Sequence, residues 1–160
     1  MGSLLIKGGK LVLPDGLHKA DVRIFDGLIA EIGSDLAAEP GTEVYDASGC
    51  TVFPGFIDAH THLDMETAAG ITADDFDSGT RAALAGGTTT LIDFATQDRG
   101  YSLTDALEIW HMKADSVAWC DYGFHMAVTD WNATVQSEVA AMFEAGISSL
   151  RSTWHTTACA

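Results

Sequence analysis

From residue 53 onward the apolar residues alternate between two spacings that few folds can use together. The pattern predicts strands over 53–60, 88–94 and 119–127 and helices over 73–85, 102–116 and 132–144, with another strand opening at Ile147. Thr72 is the predicted N-cap of the first helix, with Asp74 and Asp75 in its first turn favouring the helix dipole. Gly86-Gly87 stops that helix before the β-branched run Thr88-Thr89-Thr90. Strand and helix in strict alternation build a parallel α/β sheet or barrel. A (β/α)₈ barrel needs eight such units and usually about 250 residues. This chain of 160 residues carries three units and the start of a fourth. It is therefore expected to leave an outer strand as an unpaired edge with both faces apolar.

Residues 1–52 read differently. Leu4-Leu5-Ile6, Leu11-Val12-Leu13, Asp21 to Phe25 and Leu28 to Ile32 are short apolar runs. Turn signals at Pro14-Asp15-Gly16, Asp26-Gly27 and Gly33-Ser34 separate them, and Pro40-Gly41 marks a loop before Val44-Tyr45. Asp26-Gly27 between two alternating runs is a hairpin signal.

The first strand of the alternating region ends in His60-Thr61-His62. Side chains two apart on a strand share a face, so the two imidazoles project together and can chelate a borderline metal such as zinc. Asp58 has the same parity. It either orients a ligand histidine or makes a structural hydrogen bond.

The run Pro54-Gly55-Phe56-Ile57-Asp58-Ala59-His60-Thr61-His62 resembles the opening strand of the amidohydrolase superfamily. Leu63-Asp64-Met65, the segment Gly79 to Thr90 and Asp121 to Met126 extend the likeness to the dihydropyrimidinase/hydantoinase family, over residues 1 to about 149. The resemblance implies an incomplete (β/α)₈ barrel over 53–149, preceded over 1–52 by part of a small β-sandwich. It also implies hydrolysis of a cyclic amide C–N bond, opening a dihydropyrimidine or hydantoin ring to an N-carbamoyl amino acid. Two divalent ions, zinc in most members, are bridged there by a carboxylated lysine. His60 and His62 would be metal ligands, Leu63 and Met65 would face substrate, and Asp64 reads as a loop carboxylate. Asp93 and His125, near strand ends, are read as interior polar residues that need hydrogen-bond partners. Alternatives are an allantoinase- or dihydroorotase-type enzyme, whose usual Pro-Gly loop after the histidines is missing at Leu63 to Thr67, and a non-catalytic scaffold relative, which would typically lack both histidines.

The likeness stops at Ser149. The family continues Phe-Lys-Val-Tyr-Met-Ala-Tyr, whereas this chain has Leu150-Arg151-Ser152-Thr153-Trp154-His155-Thr156. One permitted coding string for Leu150 to His155 is TTA AGG TCT ACA TGG CAT, followed by AC. A single T placed before it reads Phe-Lys-Val-Tyr-Met-Ala-Tyr. Residues 150–160 are therefore expected to be an out-of-frame tail, in which Trp154, His155 and Cys159 carry no selected role. The bridging lysine, the tyrosine and the proton-shuttle aspartate are then all missing. The chain alone is expected to be an inactive fragment with no catalytic residue and weak or no stoichiometric metal binding.

The formal charge of −15, from 23 acidic against 8 basic residues, argues against nucleic acid or anionic membrane as a partner. Three cysteines without paired spacing indicate no disulfide framework. With no basic leader and no apolar run of membrane length, the expected compartment is cytoplasmic. The expected partners are a small cyclic amide or ureide and, for a full-length protein, three further copies in a homotetramer. His18, His111, Trp110, Trp119 and Trp131 read as ordinary surface, helix or core residues.

Overall fold

The computed structural model describes residues 2–152. The chain divides into two compact units, the first ending at Pro54 and the second beginning at Gly55.

The first unit is a sheet of β1 (Ser3–Leu13), β2 (Gly16–Phe25), β3 (Leu28–Gly33), β4 (Glu43–Asp46) and β5 (Thr51–Val52). Its order is β3-β2-β1-β4, with β5 also on β1. Asp26 (φ 49°) and Gly27 (φ 78°) both take positive φ, the geometry of a tight hairpin turn between β2 and β3. The two apolar runs expected as separate strands are one strand, β1. Gly8, at φ 74°, absorbs a register shift between Ile6 and Gly9, so the pairing with β2 continues past it. Asp21 secures this bulge: its carboxylate accepts the Gly8 amide at 2.8 Å and the Leu36 amide at 3.0 Å. This unit is one layer. Leu28, Ile29, Val44 and Tyr45 stay exposed on it, and a sandwich would need a second layer to cover them.

The second unit contains β6 (Phe56–Thr61), β7 (Glu66–Thr67), β8 (Gly70–Ile71), α1 (Phe76–Ala85), β9 (Thr88–Thr96), α2 (Leu103–Ala114), β10 (Asp121–Val128), α3 (Ala133–Glu144) and β11 (Leu150–Ser152). Its main sheet is parallel in the order β11-β10-β9-β6. Strand order thus follows chain order with no reversal, which is the progression of a barrel wall; a doubly wound sheet reverses at a switch point. Leu91 and Ala95 of β9 and Phe124, Met126 and Val128 of β10 pack with Phe76 of α1, Leu103, Leu107 and Trp110 of α2, and Val135 and Met142 of α3. The opposite parity, Phe94, His125 and Ala127, turns to the other face. A mixed α/β fold with a partial parallel barrel sheet is what the alternation predicts.

The helix caps correct two expectations. Asp75, not Thr72, caps α1, in a capping box with Ser78. Thr72 instead closes the β7–β8 hairpin, its hydroxyl accepting the Met65 amide at 2.9 Å. A threonine seven residues on competes for a loop amide as readily as for a helix end, and the pattern of residues 66–72 gives no strand signal. Ile147 opens no strand. Gly146 (φ 88°) and Ile147 end α3, with the Gly146 amide donating to Phe143 and the Ile147 amide to Met142 at 2.9 Å. Buried Ile147 packs in the core with Met142, and β11 begins only at Leu150. The first three tail residues thus pair with β10, since ladder hydrogen bonds are made by backbone whatever the side chain. Trp154, His155 and Cys159 lie outside the described residues. Cys50 and Cys120 are free. Among the described residues no helix is long and apolar enough to cross a membrane.

Candidate metal and substrate cleft

The C-terminal ends of β6, β9, β10 and β11 bring one set of polar residues together, the end at which barrel enzymes carry their chemistry. Gly55, immediately before β6, lies against Thr89 of β9. A Cβ built there would lie 2.0 Å from the Thr89 hydroxyl oxygen, so only glycine fits that approach. β6 then shifts register between Asp58 and Thr61. His60 and His62 still meet: their ring centroids are 5.2 Å apart and nearly perpendicular. Phe94 of β9 lies beneath both, at 4.6 Å from His60 and 5.1 Å from His62.

Asp93, fully buried, fixes the chain on both sides of His62. Its Oδ2 accepts the Thr61 hydroxyl and the Leu63 amide, each at 2.8 Å, and its Oδ1 accepts the Phe94 amide at 2.7 Å. Burial raises the Asp93 carboxyl above its usual range, against the opposing pull of these hydrogen bonds and of nearby His62. His125 is equally committed. Its Nε2 donates to the Ala59 carbonyl at 3.0 Å, which leaves Nδ1 to accept from the Ser149 hydroxyl. Both residues expected to need partners therefore have them.

Other expected site residues fall in different places. Asp58 accepts the His60 backbone amide at 3.1 Å, a bond to main chain rather than to an imidazole. Leu63, expected to face substrate, is 8% exposed and sits in the core. It packs so close to α1 that a Cβ on Gly79 would lie 2.5 Å from its methyl group. The strap from Asp93 turns the chain here and swings Leu63 inward. Met65 lines the opening beside His62 with Glu66 and Thr67. Asp64 is a loop residue at φ 46° whose carbonyl accepts Lys113 Nζ at 2.6 Å.

Gln97 is a site-supporting residue that sequence reasoning misses. Its side chain, wholly buried, accepts the Thr129 and Asp130 amides at 3.1 Å and donates to the Tyr101 carbonyl at 2.8 Å. It joins the loops after β9 and β10. In the sequence it is one polar residue in a polar loop, with no local mark.

The donor set can be weighed against a pair of divalent ions. His60 and His62 converge, but among the described residues no group of three His, Cys, Asp or Glu side chains could hold a metal ion. Catalytic zinc generally takes three protein ligands. The residues described do not complete a two-ion centre.

The family described as "Amidohydrolase family" matches residues 51–154. The D-hydantoinase of Geobacillus stearothermophilus is 49% identical over 148 residues, 92% of this chain and 31% of that protein. The dihydropyrimidinase of Rattus norvegicus is 43% identical over 143 residues, 87% of this chain and 28% of that protein. Among solved structures, the dihydropyrimidinase from Brevibacillus agri NCHU1002 superposes with a TM-score of 0.89 at 43% identity, covering 92% of this chain and 32% of that one. The chain thus spans about a third of the length of the relatives it matches.

Proposed function

This chain belongs to the amidohydrolase family, and on that premise we propose that it serves metal-dependent opening of a cyclic amide, a hydantoin or dihydropyrimidine, to an N-carbamoyl amino acid. The observation that carries this reading is the convergence of His60 and His62 at the end of β6. In a full-length protein they would be two ligands of a two-ion centre, zinc by resemblance, which would supply carbonyl polarisation and a water of lowered pKa. Asp93 holds His62 in place, Asp58 supports the backbone of His60, and Met65 faces the substituent of the ring. Hydantoinase and dihydropyrimidinase are the names of the relatives, which favours this reading over an allantoinase- or dihydroorotase-type enzyme. Retention of both histidines favours it over a scaffold role.

Arg151 stands where the resembling family has its bridging lysine, and a guanidinium cannot form that carbamate. The 160 residues alone are therefore inactive in this reading, and the homotetramer and cytoplasmic setting belong to a full-length protein. The test is a chimera in which residues 1–149 replace the matching stretch of the Geobacillus stearothermophilus D-hydantoinase. It should hydrolyse hydantoin, and H60A or H62A should abolish that activity. A soluble, metal-loaded chimera without turnover would overturn the proposal.

A further inference from the structure

Arg151 lies opposite Ala127 in the β10–β11 register and so shares the face of Phe94 and His125. Its guanidinium carbon is 5.5 Å from the centre of the Phe94 ring. The same ring is flanked by His60, His62 and His125, the last at 4.9 Å. Two hollows meet here, of about 360 Å³ and about 550 Å³, and Phe94 and Arg151 line both. No carboxylate lines the first, and Glu66 is the one in the second. Among the described residues Arg151 forms no ion pair, although acidic groups outnumber basic ones 23 to 8 in this chain. His125 is occupied at both nitrogens. The rings of His60 and His62 have no hydrogen-bond partner among the described residues.

We propose that this cleft binds a small carboxylate anion, anchored by Arg151 with His60 and His62 beside it, and that it repels divalent metal ions. A guanidinium presents a rigid fork of donors that matches the two oxygens of a carboxylate. It stays charged at any pH the protein tolerates, so its repulsion of a nearby cation is permanent. The adjacent imidazoles donate N–H groups to the same anion, and Phe94 offers an apolar floor for the rest of the molecule. The inference rests on Arg151 and these rings. The chimera above ends at residue 149 and lacks Arg151, so its outcome bears only on the hydrolytic reading.

The experiment titrates the ¹⁵N-labelled 160-residue protein separately with N-carbamoyl-β-alanine, inorganic phosphate and zinc chloride, following the imidazole resonances. N-carbamoyl-β-alanine should saturate and shift His60 and His62, and zinc should not reach one equivalent. R151Q should weaken the carboxylate at least about tenfold, since it removes a charge-assisted two-point contact, and should strengthen zinc. R151K, which keeps the charge and loses the fork, should weaken the carboxylate less and leave zinc weak, and it carries the test if R151Q does not fold. R99Q, at a residue that lines neither hollow, should change neither. Unchanged carboxylate affinity in the Arg151 variants, phosphate binding in preference to carboxylate, or stoichiometric zinc in the unaltered protein would each overturn the proposal.

Discussion

Asp93 and Leu63, 30 residues apart in sequence, are joined by a 2.8 Å hydrogen bond from the Leu63 amide to Asp93 Oδ2. The same oxygen takes the Thr61 hydroxyl, so one buried atom fastens the chain on either side of His62. D93A leaves a buried amide and hydroxyl unpaired and should destabilise the second unit by about 2–4 kcal/mol. Urea unfolding followed by tryptophan fluorescence measures this, since every tryptophan lies beyond residue 109. A loss below about 0.5 kcal/mol, the range of ordinary surface substitutions, would remove Asp93 from the role assigned here.

Gly55 tests the packing of β6 on β9. G55A would drive a methyl group into Thr89, with the nearest atom at 2.0 Å and the Thr89 Cβ at 2.7 Å. Overpacking of this kind costs about 1–3 kcal/mol. The variant should melt several degrees below the parent, and an unchanged melting temperature would contradict the close approach.

Gln97 and Trp110, both buried, should differ in what their removal costs. Q97A strips two loop amides of their acceptor and should cost about 2–3 kcal/mol. Trp110 is also buried, but its indole nitrogen has no partner among the described residues. W110F should therefore cost mainly lost ring contact and cation–π attraction from Lys113, whose Nζ lies 4.1 Å from the ring centre. Paired urea melts should rank Q97A as the more damaging change.

Asp21 links the stability of the first unit to pH. The Gly8 amide, then the Leu36 amide and nearby lysines, hold its carboxyl below the usual range against the cost of burial. Its folded pKa is thus depressed. The stability it contributes is complete above the unfolded value of about 3.9 and is lost as pH falls through the folded value. D21N should flatten the loss of stability below pH of about 4 in a far-ultraviolet acid titration. Identical acid curves for parent and variant would count against this linkage.

Tyr122 should ionise late. Burial, then its hydrogen bond to Asp115, pushes its hydroxyl up to about 12. The raised folded value favours the native state below the unfolded pKa of about 10, and that contribution fades as pH rises from there through the folded value. An ultraviolet titration should show one of the three tyrosines lagging the others, and D115N should bring it closer to them. Three coincident transitions would refute it.

Much of the fold is legible in the amino-acid sequence. The Asp26-Gly27 turn, the Gly86-Gly87 stop and the convergence of His60 with His62 all rest on local rules: which residues accept positive φ, where a helix ends, and that positions two apart share a strand face. Expectation and structure part where a local rule has a competitor. Thr72 has a loop amide to bind as well as a helix to cap, and Leu63 has a core to enter as well as a pocket to line. Leu4 to Ile6 and Leu11 to Leu13 read as two runs and form one strand, because a bulge at Gly8, whose amide Asp21 of the neighbouring strand accepts, carries the pairing through.

The sequence therefore determined the alternation of strand and helix, the family and the two converging histidines, because periodicity and backbone preference act over a few residues. Folding decided the rest. Parallel pairing across a helical crossover sets Asp93 against Leu63, Gln97 against Thr129 and Arg151 against Phe94, residues 30 or more positions apart in chain order. A hydrogen bond or charge contact depends on distance in space, and no local pattern encodes which distant side chain a β-ladder will deliver.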